Sequence, residues 1–197
     1  NSAGRFSMFG QHFNFSTEYV YKINDPSADN GYIYKNGQGL MFNLNFFKKG
    51  FGLALAAKST DNMSYRSDRN VGLNYLLINY NPALTKPHTY LLVATLYPYA
   101  TNLNGEVAFQ GDLTYKFAKK TKLGGKYGTN IAANFSIALA PERTYLNDME
   151  GSRIGYETKL FAVTDSLFYS DFNISIYKKF TKKFKAKITY FNIDFNA

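Results

Sequence analysis

The sequence predicts an all-β protein, and more specifically an antiparallel transmembrane β-barrel. Side chains alternate with a period of two over most of the chain, many alternating runs are about ten residues long or longer, and each run has one apolar and one polar face. Ordinary strands have about five or six residues, whereas a strand that crosses a membrane at a tilt needs about 9–11. A soluble barrel would place its polar face outside and its large apolar residues inside.

The predicted elements follow from this alternation and from the turn residues between the runs. The predicted strands cover residues 5–22, 31–47, 51–61, 70–80, 89–99, 105–118, 128–140, 167–180 and 184–196, with a weaker candidate at 155–163. The count is therefore about nine or ten, whereas bacterial single-chain barrels have even strand numbers. We expect residues 1–197 to form one outer-membrane β-barrel domain that is part of a larger even-stranded barrel, unless 155–163 is a tenth strand.

The polar faces of these strands are expected to point into the barrel lumen. The candidates are His12, Asn14, Glu18, Asn43, Asn45, Gln110, Asp112, Lys116, Asn134, Asp171 and Asn173. Such residues suit an aqueous channel. They suit a plugged or side-chain-filled interior equally well, and the sequence leaves both possibilities open.

The connections between strands differ in character along the chain. One set is short or rich in lysine, and it contains Lys48, Lys49, Lys86, Lys119, Lys120, Lys182 and Lys183. Because outer-membrane barrels have short periplasmic turns and longer outer loops, these lysines are predicted to face the periplasm. The longer connections carry Asp25, Asp29, Asp61, Asp68, Glu142, Asp148 and Glu150. None matches the spacing of a calcium-binding loop, which favours solvated loop charge over a metal site.

Composition limits the possible functions. The chain carries a net charge of +9, 18 Phe, 17 Tyr and no Trp, and the absence of Cys excludes disulfides and thiolate chemistry. The positive charge suits nucleic acid, an anionic membrane surface, or acidic sugars and lipids. No apolar run is long enough for a transmembrane helix, and no signal peptide opens the sequence, so we expect a cytosolic chain, a processed chain or a piece of a longer one.

Two features of the sequence could indicate other functions. Lys49-Gly50-Phe51-Gly52 matches the opening of an RNA-binding octamer, but Leu53 stands where that octamer needs an aromatic residue. A hairpin turn explains the same residues, so no nucleic-acid partner is predicted. The histidines are His12 and His88, and no G-x-S-x-G nucleophile motif accompanies them. No catalytic residue, cofactor or metal is therefore predicted.

Two segments, 79–117 and 122–136, resemble an uncharacterised domain-of-unknown-function family of Bacteroidota outer-membrane proteins. The resemblance rests on Pro82-Ala83-Leu84-Thr85-Lys86, Tyr97-Pro98-Tyr99-Ala100, Asn104-Gly105-Glu106 and Gly124-Gly125-Lys126-Tyr127-Gly128. It implies an outer-membrane barrel longer than this chain, and it implies no reaction, ligand or catalytic residue.

These observations together predict a non-enzymatic barrel in the outer membrane of a Gram-negative bacterium. Its expected role is a channel or a barrel subunit of a larger assembly, with outer-membrane lipid and other outer-membrane or periplasmic proteins as partners. The alternatives are a soluble β-barrel or sandwich that binds an apolar ligand, and a membrane-embedded lipid hydrolase or acyltransferase.

Overall fold

Eight strands form one antiparallel sheet in the computed structural model, which describes residues 1–72, 75–88, 99–102, 104–146 and 155–196. The strands are β1 (Ser2–Phe9), β2 (Phe13–Lys22), β3 (Gly37–Lys48), β4 (Phe51–Asp61), β5 (Gly105–Phe117), β6 (Thr129–Tyr145), β7 (Tyr156–Lys179) and β8 (Lys185–Phe195), and a 3₁₀ turn covers Ala28–Asn30. Each strand pairs with its neighbours in chain order, which confirms the all-β class. The sheet is not closed into a barrel, since β1 and β8 lie at its edges. Among the described residues, no helix is long and apolar enough to cross a membrane.

In this sheet the apolar face is exposed and part of the polar face is buried, which is the reverse of the arrangement in a soluble sheet. The register aligns Leu44, Leu55, Phe135 and Phe172 in one row across β3 to β7, and all four are exposed. On the opposite face, polar side chains such as Asn134 are almost completely buried. A row of large exposed apolar residues marks an interaction surface.

Several predicted strands are confirmed closely. The prediction for 51–61 coincides with β4, and those for 105–118 and 184–196 differ from β5 and β8 by one residue at their ends. Strand β6 continues five residues beyond the predicted end at 140. Strand β3 begins at Gly37, because the six residues before it belong to the preceding connection.

The prediction of one long strand over 5–22 is wrong, because a hairpin turn divides it into β1 and β2. The amide of Gly10 donates to the carbonyl oxygen of Phe13 at 2.7 Å and closes the turn. Phe9 consequently pairs with Asn14 and lies on the polar face, although uninterrupted alternation would place it with Phe13 and Phe15. When apolar and polar residues keep alternating through a turn, the sequence pattern does not reveal that the strand is interrupted.

The prediction of a strand over 70–80 is also wrong. An isolated bridge joins Arg66 to Leu77, and the amides of Ser67 and Ile78 donate to backbone oxygens across that bridge. The segment around Leu77 therefore pairs locally with the segment around Arg66 and is not a strand of the main sheet. The predicted strand 89–99 falls almost entirely outside the described residues.

The predicted segments 155–163 and 167–180 belong to one strand, the 24-residue β7. Its pairing with β6 shifts register three times between Ala138 and Arg143, and Phe161 has a left-handed φ of 62°. Such bulges let a long strand continue through a change in direction. The candidate tenth strand is therefore the first part of β7.

Four turns lie together at one end of the sheet, which we call the short-turn end; three of them are short, and the fourth, 118–128, is longer and rich in lysine. Residues 10–12, 49–50, 118–128 and 180–184 connect β1 to β2, β3 to β4, β5 to β6 and β7 to β8. Between β2 and β3, between β4 and β5, and between β6 and β7, the chain leaves the opposite end, which we call the long-connection end. The predicted turn that carries Lys86 is absent from the short-turn end, because Leu84 packs with Ala108, Ala138 and Tyr169 and Lys86 lies beside mid-strand Asp112.

Gly124 is required by the packing of the turn between β5 and β6. A Cβ atom there would lie 1.8 Å from the carbonyl oxygen of Ala118 and 2.7 Å from Oγ1 of Thr121. We expect Gly124→Ala to lower the free energy of unfolding by about 1–3 kcal/mol, because backbone must move to admit the methyl group. Urea unfolding of the refolded protein measures the change. Gly4→Ala is the control, since nothing lies within 4 Å of that position, and an equal loss in both variants would contradict this explanation.

Candidate functional site

Part of the connection between β4 and β5 lies on the polar face of the sheet. We call residues 82–88 and 99–102 the covering segment. Leu84 is its apolar anchor, with 6% of its surface exposed. The buried residues around Leu84 are Ala108, Ala138 and Tyr169. Tyr99 stacks on Tyr169 with the ring centroids 4.9 Å apart. The chain therefore buries part of its polar face with its own residues.

A buried ion pair between Lys58 and Glu106 fixes the covering segment to β4 and β5. Nζ of Lys58 lies 2.8 Å from Oε1 of Glu106, and their side chains are 4% and 0% exposed. Lys58 also donates to the carbonyl oxygen of Pro82 at 2.6 Å and to the hydroxyl of Thr101 at 2.8 Å. The Tyr99 hydroxyl donates to Oε2 of Glu106 at 2.5 Å. Charges that are removed from water need such a set of partners.

The Tyr99 hydroxyl stays protonated and remains a hydrogen-bond donor in this network. Burial raises its pKa, and the neighbouring Glu106 carboxylate raises it further. Tyrosine is protonated at neutral pH even without such a shift. Tyr99 therefore keeps its proton, and its hydrogen bond to Glu106, over the whole physiological pH range.

A second network crosses β5, β6 and β7 beneath His88. Nε2 of His88 lies 2.5 Å from Oδ2 of Asp171, whose side chain is completely buried. Nδ2 of Asn173 donates to Asp171 and to Oδ1 of Asn134, at 3.1 Å in each case. Nδ2 of Asn134 then donates to Oδ1 of Asp112 at 2.9 Å. The Asn173 amide satisfies the buried Asp171 carboxylate, as buried polar groups require, and Asn134 extends the network to the partly exposed Asp112.

Two further side chains extend this network at Asp112. Nε2 of Gln110 donates to Oδ2 of Asp112 at 2.8 Å. Nζ of Lys86, from the covering segment, lies 3.9 Å from Oδ1. Five of the predicted lumen residues thus lie in one connected network. They are Gln110, Asp112, Asn134, Asp171 and Asn173.

The polar face of β1, β2 and β3 forms a groove of about 490 Å³ beside the covered region. Its polar lining consists of Arg5, Ser7, Asn14, Ser16, Thr17, Glu18, Asn43 and Asn45. Arg5 and Glu18 form an ion pair across β1 and β2. The ionic and hydrogen-bonded contacts of the covering segment lie on β4, β5 and β7, so the two halves of the polar face differ in chemistry.

At the long-connection end, acidic residues are paired with cations. Asp61 accepts from Nζ of Lys35 at 2.5 Å and from the Tyr156 hydroxyl at 3.0 Å. Asp29 accepts from Nε of Arg66 at 2.5 Å. The carboxylates of Asp61 and Asp29 are 5% and 9% exposed, so the prediction of solvated charge is wrong for both. No group of three metal-ligating side chains is found among the described residues.

The remaining predicted residues lie apart from these networks. His12 belongs to the turn between β1 and β2, and the prediction that places it in mid-strand is wrong. Lys116 is exposed near the end of β5. Lys86 contacts mid-strand Asp112 and not the short-turn end, whereas the other six lysines predicted in turns do lie there. Asp148 and Glu150 fall outside the described residues.

Sequence reasoning assigned no role in a network to three residues that hold the covering segment: Lys58, Glu106 and His88. A weak signal exists for the first two, because each charge borders a run of small or apolar residues: Lys58 follows 51–57, and Glu106 precedes 107–109. Their strand positions also share the polar face, which follows from the period of two. His88 follows Pro87 in a connection, and no local pattern relates it to Asp171.

A family model described as "Family of unknown function (DUF6029)" matches residues 1–197. The chain belongs to the DUF6029 family. This match confirms the predicted membership in a family of unknown function, while the bacterial group and the outer-membrane location of this DUF6029 protein remain predictions. No curated protein and no solved structure matches the chain.

Proposed function

We propose that the DUF6029 chain is a non-enzymatic outer-membrane protein whose sheet forms part of a β-barrel wall. Its apolar face contacts lipid, and its polar face points to an interior that the covering segment occludes. The protein serves as an occluded barrel or as a barrel subunit of a larger assembly, with outer-membrane and periplasmic proteins as partners. The location is the outer membrane of a Gram-negative bacterium.

The reversed burial of the two faces is the observation that carries this proposal. Phe135 and Phe172 are 47% and 41% exposed, whereas Asn134 and Asp171 on the opposite face are 1% and 0% exposed. In water this arrangement would leave large apolar side chains in contact with solvent, so most of the favourable free energy of apolar burial would be lost. In a bilayer, the apolar face would be solvated by acyl chains and the polar groups would be satisfied internally.

Aromatic residues toward the short-turn end of the sheet also support a membrane position. Aromatic pairs lie near the short-turn end of the apolar face, where Tyr115 and Phe117 have ring centroids 4.7 Å apart. Phe46 and Phe51 form a second pair at 6.0 Å. Aromatic girdles of this kind mark the interfaces of membrane barrels.

A second candidate function is a channel, and the groove over β1, β2 and β3 favours it. Asn and Ser side chains line that groove, and such side chains suit an aqueous path. Conductance in planar bilayers separates the candidates. An occluded barrel stays closed at the potentials at which a channel conducts.

The absence of Trp allows a direct test of the lipid-facing side. Phe135→Trp places the fluorophore in the middle of the apolar face, and Asn43→Trp places it near the same level on the polar face. Each refolded variant is measured in bilayers whose acyl chains carry bromine at mid-depth. We expect strong quenching for Phe135→Trp and weak quenching for Asn43→Trp.

Two results would contradict the proposal. If the chain refolds to the same β-structure without detergent or lipid and neither fluorophore is quenched, the soluble alternative replaces it. If purified protein hydrolyses or transfers acyl chains, and His88→Ala abolishes that activity without loss of β-structure, the protein is an enzyme.

A further inference from the structure

The short-turn end of the sheet carries a dense set of lysines without acidic neighbours. Residues 44–54, 114–131 and 174–189 contain no Asp or Glu. Their thirteen lysines, which we call the lysine rim, are Lys48, Lys49, Lys116, Lys119, Lys120, Lys122, Lys126, Lys178, Lys179, Lys182, Lys183, Lys185 and Lys187. Like charges at this density repel one another unless an anionic partner compensates them.

Cations at the opposite end have such partners within the chain. Lys22, Lys35, Lys58 and Arg66 each form an ion pair with a carboxylate. Among the described residues, no ion pair includes a member of the lysine rim. The chain thus neutralises one end of the sheet internally and leaves the charge of the other end for an external group.

The position of the rim indicates which external group it meets. Phe180 and Phe184 lie in the turn between β7 and β8 with ring centroids 5.6 Å apart, and they are 51% and 58% exposed. Tyr190, farther along β8, is also exposed. An aromatic band next to an apolar face lies at the level of the lipid headgroups. Lysine stems extend along such a band and present their ammonium groups to the headgroup layer.

We propose that the lysine rim binds the phosphate groups of anionic phospholipids in the leaflet that the short turns face. This inference rests on the proposed function, because the apolar face must be in the bilayer for the rim to reach that plane. Continuity of the rim with the aromatic band favours lipid over nucleic acid, which would bind a basic surface that projects into water. The short turns 49–50 and 180–184 keep Lys49, Lys182 and Lys183 at the membrane surface.

The interaction free energy of the lysines is large enough to give a measurable preference for anionic over zwitterionic phospholipid. A lysine near an anionic membrane surface contributes about 1 kcal/mol, which corresponds to about a fivefold change in affinity. Neutralising two neighbouring lysines should therefore reduce the preference for anionic lipid at least about threefold, since partial compensation by the remaining lysines is expected. The preference should also fall as salt is added.

The test uses Phe184→Trp as a reporter beside the rim in the full chain. The protein is refolded into mixed bilayers in which either phosphatidylglycerol or phosphatidylcholine carries the bromine label, and quenching gives the relative association constant. We expect phosphatidylglycerol to be preferred severalfold at low salt. Lys182→Gln with Lys183→Gln should reduce this preference at least threefold. Arg69→Gln with Lys159→Gln removes the same charge near the long-connection end and should leave it unchanged.

The outcomes separate this inference from the proposed function. Equal quenching by both lipids would overturn the inference while the lipid-facing sheet stands. Absence of quenching by either lipid would overturn both. A stronger preference for lipopolysaccharide than for phosphatidylglycerol, or tight binding of an oligonucleotide that competes with lipid, would also overturn the assignment to phospholipid phosphate.

Discussion

Replacing Glu106 with alanine is expected to lower the free energy of unfolding by about 3–5 kcal/mol, because the change leaves the buried Lys58 charge without its counterion. The loss should be large because Glu106 also accepts a hydrogen bond from Tyr99, which joins the covering segment to the sheet. Urea unfolding of the protein in detergent micelles, followed by circular dichroism, measures the change. Chymotrypsin cleavage after Leu84 should appear at the same time, since the segment loses an anchor.

Two controls make this result specific. Glu18→Ala removes a carboxylate from an ion pair with the exposed Arg5, and such pairs contribute about 1 kcal/mol or less. The double replacement Lys58→Met with Glu106→Leu removes both buried charges, and it should recover much of the stability. Equal losses for Glu18→Ala and Glu106→Ala would contradict the role assigned to the buried pair.

Placing arginine at Phe135 should destabilise the membrane-inserted protein by about 2–4 kcal/mol, whereas arginine at Tyr115 should change its stability by about 0–1 kcal/mol. Both aromatic side chains are exposed on the apolar face, at 47% and 41%. They differ in level, because Phe135 pairs with Gly111 in mid-strand and Tyr115 lies near the short turns. A charge is costly in the centre of the bilayer and is tolerated at its interface.

Denaturant titration of both variants in lipid vesicles measures this difference. The depth dependence is what discriminates between environments, since both substitutions remove a similar aromatic area. In water, an arginine at either exposed position would be accepted with a small change, so equal and small effects would contradict the lipid-facing assignment. Equal and large effects would indicate a packed protein interface that covers the whole apolar face.

The strands that could be predicted are those with local boundaries. Strand β4 begins directly after the Gly50 turn and alternates to Asp61, so its limits are contained within its own residues. The turn at Gly10 could not be predicted, because aromatic residues continue at the same parity on both sides of it. The stretch 70–80 alternates as well as a strand does, but its partner is a short local segment, and periodicity carries no information about partners.

In the candidate site, too, local sequence predicts some features and not others. Alternation alone assigned Asn134, Asp112 and Asn173 to one face, and the structure joins them by hydrogen bonds. The segment that covers them could not be predicted, because its attachment depends on contacts such as that between His88 and Asp171. These two residues are 83 positions apart, and nothing in the residues near either one indicates the other.

This wide separation has a consequence for the order of folding. The Lys58–Glu106 pair joins adjacent strands, but the His88–Asp171 contact requires β7, which lies far along the chain. Contacts of high sequence separation form late, because the entropy of closing long loops must be lost first. We therefore expect a folding intermediate in which the sheet has formed and its polar face is still open to water. The covering segment would then behave as an internal ligand that completes the molecule.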